Sequence, residues 1–197
     1  MANISQKWLT ELTVLNPFTS GYSAKMHASA IARLLKLPQR TVARKLDTLA
    51  KLNLIKYTRE GKNKLYYFDF NNKTSIFTLS TVEYNRAFEF CISFPKIAIL
   101  ISELAEYGDV LLFGSYAKGY STSESDIDIL FIGRKSKNIN NTIKKYPFKA
   151  SMQYSSYEKF RESLENNNAL AKEIAKSHII FNNVEKYVRL FAEHYNG

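Results

Sequence analysis

Apolar side chains recur at helical spacing through the first fifty residues. Ile4, Trp8, Leu12 and Leu15 predict a helix over 4–15, broken at Asn16-Pro17. Ile31, Leu34 and Leu35 mark a second helix over about 28–36. Leu37-Pro38 makes a turn, and Pro38 suits the start of a third helix that runs to about Leu52. Val42, Leu46 and Leu49 give that helix a core face. Gln39, Arg40, Arg44, Lys45 and Thr48 are expected on its opposite face. Two β-prone runs, 54–59 and 64–70, then flank a Gly/Asn turn at 60–63 and predict a hairpin.

The remaining pattern alternates helices with short strands. Polar residues 71–74 precede a helix over about 79–92, with Val82, Phe88 and Cys91 among its apolar positions. After a break at 93–95 a helix runs to Tyr107, and Gly108 ends it. Strands are expected at 109–113, 126–132, 148–154 and 178–181. Helices are expected at 157–165 and 169–176, separated by an Asn turn at 166–168. An amphipathic helix closes the chain over 184–195, with Tyr187, Val188, Leu190 and Phe191 on its apolar side.

Charge divides this pattern in two. The net charge is +10, and residues 1–75 hold 13 Lys/Arg against 4 Asp/Glu while the rest hold 15 against 14. The excess therefore sits in the first third, where a polyanionic partner is expected. The implied organisation is an N-terminal domain over 1–75, a connecting helix over 76–94 and a C-terminal domain over 95–197, in an α+β fold. The single cysteine, Cys91, excludes an internal disulfide. The most apolar stretch, 90–104, is interrupted by Pro95, Lys96 and Glu103 and is shorter than the ~20 residues of a membrane span. Residues 1–12 carry no long apolar run of a signal peptide. A cytoplasmic protein without a membrane partner is expected. His27, His178 and His194 are scattered and read as ordinary histidines.

The segment IARLLKLPQRTVARKLDTLAKLNLIKYTREGKNKLYYF resembles winged helix-turn-helix regulators. The resemblance implies that 39–52 is a recognition helix and 59–64 the wing. A major groove admits one α-helix, whose exposed N-terminal residues reach base edges. Arg40 and Arg44 stand one turn apart on the exposed face, placed to donate to guanine, and Gln39 and Thr41 belong to the same DNA-binding set. Lys45, Lys62 and Lys64 supply phosphate contacts to double-stranded DNA, and Arg59 joins them in the cationic wing tip. Such proteins usually bind as dimers, so a homodimer is expected.

The chemistry-bearing residues lie further on. In a strand starting at Asp126, Asp126 and Asp128 share one face while Ile127 and Ile129 enter the core. Paired carboxylates repel unless a cation lies between them. A hard, oxygen-seeking Mg²⁺ (or Mn²⁺) held by carboxylates and substrate phosphates fits that need. Gly114 allows a tight turn and close approach of a phosphate, and Ser115 can donate to it. Lys118, with Gly119 behind it, adds positive charge to the same loop.

The stretch FGSYAKGYSTSESDIDILFI resembles the Gly-Ser-x10-Asp-x-Asp motif of minimal nucleotidyltransferases in the DNA polymerase β superfamily. The resemblance implies a small mixed sheet with flanking helices and transfer of a nucleoside monophosphate, AMP foremost, from an Mg-bound NTP to an acceptor hydroxyl. It also implies a nucleotide site at Gly114, Ser115, Lys118 and Gly119. Related nucleotidyltransferases act as antitoxins on a HEPN-domain partner toxin, so a protein acceptor is one expectation. The family usually carries a third carboxylate on a following strand. Here the expected strand, 148–154, has none, and the position falls near Gln153. A Gln amide cannot act as a base. The alternative is therefore a transcriptional regulator whose nucleotide-binding domain is catalytically weak or inactive.

Overall fold

The computed structural model describes residues 11–196. They form two compact units: the described residues up to Val82 together with those from Phe191, and Glu83–Leu190.

The first unit opens with a 3₁₀ helix, Thr13–Thr19, followed by β1 (Met26–His27), α1 (Ala28–Leu35), α2 (Gln39–Lys51), β2 (Lys56–Glu60) and β3 (Asn63–Tyr67). Val14, Leu15, Phe18, Ile31, Val42, Leu46 and Leu49 are fully buried, so the helical periodicity marks its core face correctly. Leu34 departs from that expectation and is exposed, because the buried side of α1 runs through Ile31 and Ala32. Lys36 ends α1 in the left-handed conformation, its N–H bonded to the Ala32 and Arg33 carbonyls. The hairpin pairs Glu60 with Asn63 across a two-residue turn, where Gly61 takes a positive φ of 58°. β3 also pairs with β1, giving an antiparallel sheet of order β1-β3-β2. The two residues of β1 are too short a run to be read from pattern.

The expected helix over 4–15 lies mostly outside the described residues. Its described end continues as the 3₁₀ helix through Pro17 instead of breaking at Asn16-Pro17. The Thr19 hydroxyl donates to the Asn16 carbonyl at 2.7 Å and closes that turn.

Helix α3 (Lys73–Ser93) is longer than the expected 79–92. It starts early because the Asn72 side chain accepts the Thr74 N–H at 3.0 Å, an N-cap bond. Of the polar residues 71–74, Asn72 is thus the cap and Lys73 and Thr74 already belong to the helix.

The second unit contains α4 (Pro95–Ala105), β4 (Asp109–Phe113), α5 (Gly114–Lys118), β5 (Ile127–Ile132), α6 (Lys137–Lys144), β6 (Ala150–Ser155), α7 (Tyr157–Glu165), α8 (Ala169–Lys176), β7 (Ile179–Ile180) and the start of α9 (Val184–Asn196). Its mixed sheet has the order β6-β5-β4-β7, with β5 and β6 parallel and the other pairs antiparallel. On one face Val110, Leu112, Ile127, Ile129 and Phe131 pack with Ile97, Leu100, Ile101 and Leu104 of α4. The parallel pair needs a crossover. Helix α6 supplies it; Ser136 accepts the Ile139 N–H at 3.3 Å and Ile139 is fully buried. The Ser cap and Ile139/Ile143 pair are the signal for α6, which the broader pattern passes over.

A polar staple fixes the start of β4. Asp109 accepts from Asn183 at 2.6 Å, Lys186 at 2.9 Å and Tyr187 at 2.6 Å. Within α3, Glu83 is fully buried and accepts from Arg86 at 2.9 Å and from Nε2 of the buried His178 at 3.2 Å. His178 Nδ1 meets the Ile174 carbonyl at 2.9 Å, so this histidine belongs to a structural network joining α3 to the end of α8. No helix among the described residues is long and apolar enough to cross a membrane.

Candidate active site

β4 and β5 lie side by side in antiparallel register, Phe113 opposite Asp128. The chain leaving β4 and the chain entering β5 therefore meet at the same end of the sheet. Ile127 and Ile129 are buried in the core, so Asp126 and Asp128 project to the other side. Asp126 stands just ahead of β5 and is exposed, and Asp128 is half-buried.

Residues 114–118, expected as a loop, form one helical turn instead. Gly114 begins it with φ 66°, and Gly119 ends it at φ 77° with its N–H bonded to the Ser115 and Tyr116 carbonyls. A β-carbon at Gly114 would overlap Asp128 Oδ2 and stand 2.9 Å from its Cγ. Absence of a side chain there is what lets the Asp128 carboxylate lie against the turn.

Burial pushes the Asp128 carboxyl above its usual range. A hydrogen bond from Ser151 opposes the rise, the charges of Asp126 and Glu173 add to it, and Lys118 reduces it. Asp126, Asp128, Glu173 and Lys118 thus share one electrostatic neighbourhood. Among the described residues no group of three or more His, Cys, Asp or Glu side chains is placed to hold a metal. Two carboxylates still suit Mg²⁺, which binds through one or two carboxylates and completes its shell with water and substrate phosphates.

The position beside Asp128 on the parallel strand is Ser151, since the register pairs Asp128 with Ser151 and Leu130 with Gln153. The expectation near Gln153, counted back from Phe160, therefore falls two residues beyond the position that adjoins Asp128, because parallel register is set by the neighbouring strand. Neither residue is a carboxylate. Lys118 donates to Glu173 Oε1 at 2.7 Å. Sequence spacing gives no sign of this partner, which comes from α8, 55 residues away.

A cavity of about 920 Å³ opens nearby, lined by Phe94, Ile97, Tyr116, Phe148 and residues 121–125 among others. Ile97, Tyr116 and Phe148 belong to the cluster that holds Ile127 and Ile129. The cavity thus lies on the α4 face of the sheet, and neither aspartate nor the Gly114-Ser115 step lines it.

In the first unit, Gln39, Arg40, Arg44, Arg59 and Lys62 are exposed, and Thr41 is half-buried. Lys45 is not on the exposed face, as expected from sequence, but buried at 7% exposure. It stands three residues after Val42 and four before Leu49, within the core stripe. Lys64 is half-buried, bonded to Asp47 Oδ1 at 2.6 Å, with its ammonium 4.5 Å from the Tyr57 ring centre. Asp47 also accepts from Tyr66 at 2.9 Å, so Lys64 helps fasten α2 to the hairpin.

No curated protein and no solved structure matches the chain. Residues 96–186, which contain this turn and both aspartates, match the family described as Polymerase beta, Nucleotidyltransferase, a match that supports the nucleotidyltransferase superfamily for this segment.

Proposed function

We propose that the protein transfers a nucleoside monophosphate, AMP foremost, from an NTP to an acceptor hydroxyl, and that its N-terminal unit binds double-stranded DNA as a winged helix-turn-helix. One observation carries the first half: the Asp128 carboxylate lies against the backbone of the Gly114 turn. A site for a divalent cation and a site for phosphate are thereby one site. Asp126 and Asp128 would hold Mg²⁺ (or Mn²⁺), which when bound supplies positive charge against the carboxylates and phosphates. The Ser115 hydroxyl and the turn from Gly114 to Gly119 would orient the triphosphate. The acceptor oxygen bonds to the α-phosphorus, the bond to the bridging oxygen breaks, pyrophosphate leaves with that electron pair, and the hydroxyl proton passes to solvent. The acceptor we favour is a protein partner, as for an antitoxin acting on its toxin.

The test is transfer of label from NTPs radiolabelled in the α-phosphate, with Mg²⁺ and cell extract, against an Asp126→Ala/Asp128→Ala control. Label moved to a macromolecule and lost in the control supports transfer and shows the acceptor class. Nucleotide binding without transfer supports the second reading, a regulator that senses nucleotide. Ser151 opposite Asp128, where no carboxylate stands, favours that second reading.

Support for DNA binding comes from the +9 balance of residues 1–75 and from exposed Arg40, Arg44, Arg59 and Lys62 on α2 and the hairpin. We place the homodimer contact on α3, where Tyr84, Phe88 and Ile92 are exposed four residues apart, a stripe that a second copy can cover. Phe88→Asp should then yield a monomer in sedimentation; a monomeric wild-type protein would reject the assignment.

A further inference from the structure

We infer that Glu173 is a positioning residue that holds Lys118 in the place a triphosphate later takes over, so that nucleotide entry exchanges one partner of Lys118 for another. This inference rests on the reading of the Gly114 turn and the aspartate pair as a nucleotide site.

Lys118 is the only Lys or Arg between Gly114 and Gly119. It is therefore the one cation that the turn itself offers a phosphate. Its ammonium donates to Glu173 Oε1 at 2.7 Å, and the two side chains are 34% and 44% exposed. A pair so open to water is weakly held and can be separated by a stronger anion. A triphosphate is such an anion, since it presents several charged oxygens to the same ammonium.

The position of Glu173 makes the pair more than a surface bridge. Its charge acts on Asp128, as does that of Lys118. Glu173 thus adds a negative charge to a site built to receive a polyanion. That placement opposes nucleotide binding unless the carboxylate occupies Lys118 only while nucleotide is absent. β6 offers no acid beside Asp128, where Ser151 stands, so α8 is the element that supplies the additional carboxylate near the pair. Helix α8 buries Ala171, Ile174 and Ala175 and leaves Glu173 on its outer side, free to change partner without repacking the core.

General repulsion by Glu173 and competition for Lys118 predict different couplings. The experiment measures binding of inorganic triphosphate and of ATP, with Mg²⁺, to wild type, E173Q, K118M and the double variant. E173Q should bind triphosphate about two- to fivefold more tightly, the scale of an exposed ion pair. In the K118M background the same change should tighten binding clearly less, because only the direct repulsion by Glu173 is then left to remove. In turnover assays E173Q should lower KM for the nucleotide and leave kcat nearly unchanged, because the pair opposes ground-state binding alone. Equal tightening in both backgrounds would overturn the exchange, since repulsion would then act without Lys118. Unchanged affinity of E173Q would overturn it as well, and decides the matter even where K118M binds too weakly to measure. Absence of any triphosphate binding to the wild-type protein would remove the nucleotide reading and this inference together.

Discussion

A β-carbon on Gly114 would run into the carboxylate of Asp128. Gly114 also holds φ at 66°, a conformation that costs other residues about 1–2 kcal/mol. Gly114→Ala is therefore expected to lose about that much stability and to displace Asp128 from the turn. Thermal unfolding should register the first effect, and loss of Mg²⁺-dependent nucleotide binding the second. An alanine variant that binds nucleotide normally would show that the close approach is not needed.

Asp128 opposes the fold while it serves the site. Its carboxyl is held above the usual range by burial, so the folded protein binds its proton more tightly than the unfolded chain does. The stabilising contribution is complete below the unfolded value of about 4 and is lost as pH rises through the folded value. Asp128→Asn should remove that decline, raise neutral-pH stability and abolish transfer. Mg²⁺ should raise the melting temperature of wild type and not of the variant. A wild-type protein no less stable than the variant across that window would contradict the assignment.

Asp109 behaves in the opposite sense. Burial alone would raise its carboxyl, but hydrogen bonds from Tyr187, Lys186 and Asn183 outweigh burial and hold it below the usual value. Its contribution is present above about pH 4 and is lost as pH falls through the lower folded value. Asp109→Ala should cost about 2–4 kcal/mol, since three donors lose their acceptor. Denaturant melts at neutral and acid pH measure this; a cost that does not shrink in acid would rule out the linkage.

The basic residues of the first unit should separate into two groups. Arg40→Ala or Arg44→Ala should weaken DNA binding by about 1–3 kcal/mol with little change in folding. Lys62→Ala should lower the salt slope by about 1. Lys45→Ala, in contrast, should reduce stability through lost packing of a buried stem. Fluorescence anisotropy at several salt concentrations, paired with thermal melts, distinguishes them. Salt-independent binding of all variants would favour a protein partner for this face.

Much of this architecture was readable from pattern because its causes are local. Val42, Leu46 and Leu49 repeat at helical spacing, and Ile127 and Ile129 alternate with the aspartates. The five motif positions, Gly114, Ser115, Gly119, Asp126 and Asp128, lie within fifteen residues of one another. The failures have long-range causes. Lys45 has a polar head and an apolar stem, and periodicity of residue type alone assigns it to the wrong face. The offset of Gln153 arises because parallel register is fixed by neighbouring strands and not by β6's own composition. Glu173 was silent for the same reason: only the folded chain brings α8 to the end of α5.

The short path between β4 and β5 has a kinetic consequence. Phe113 and Asp128 become neighbours by closing a loop of about fourteen residues, and that loop is the site. β7 reaches β4 only after the chain has run on to Ile179. Closure entropy rises with loop length, so the β4–β5 pairing is the cheaper one to form early. Substitutions in this hairpin should slow refolding, while those in β7 should mainly hasten unfolding. The region that receives nucleotide would then also be the region around which the second unit condenses, and sequence change there would be constrained twice, once by ligand and once by the rate of folding.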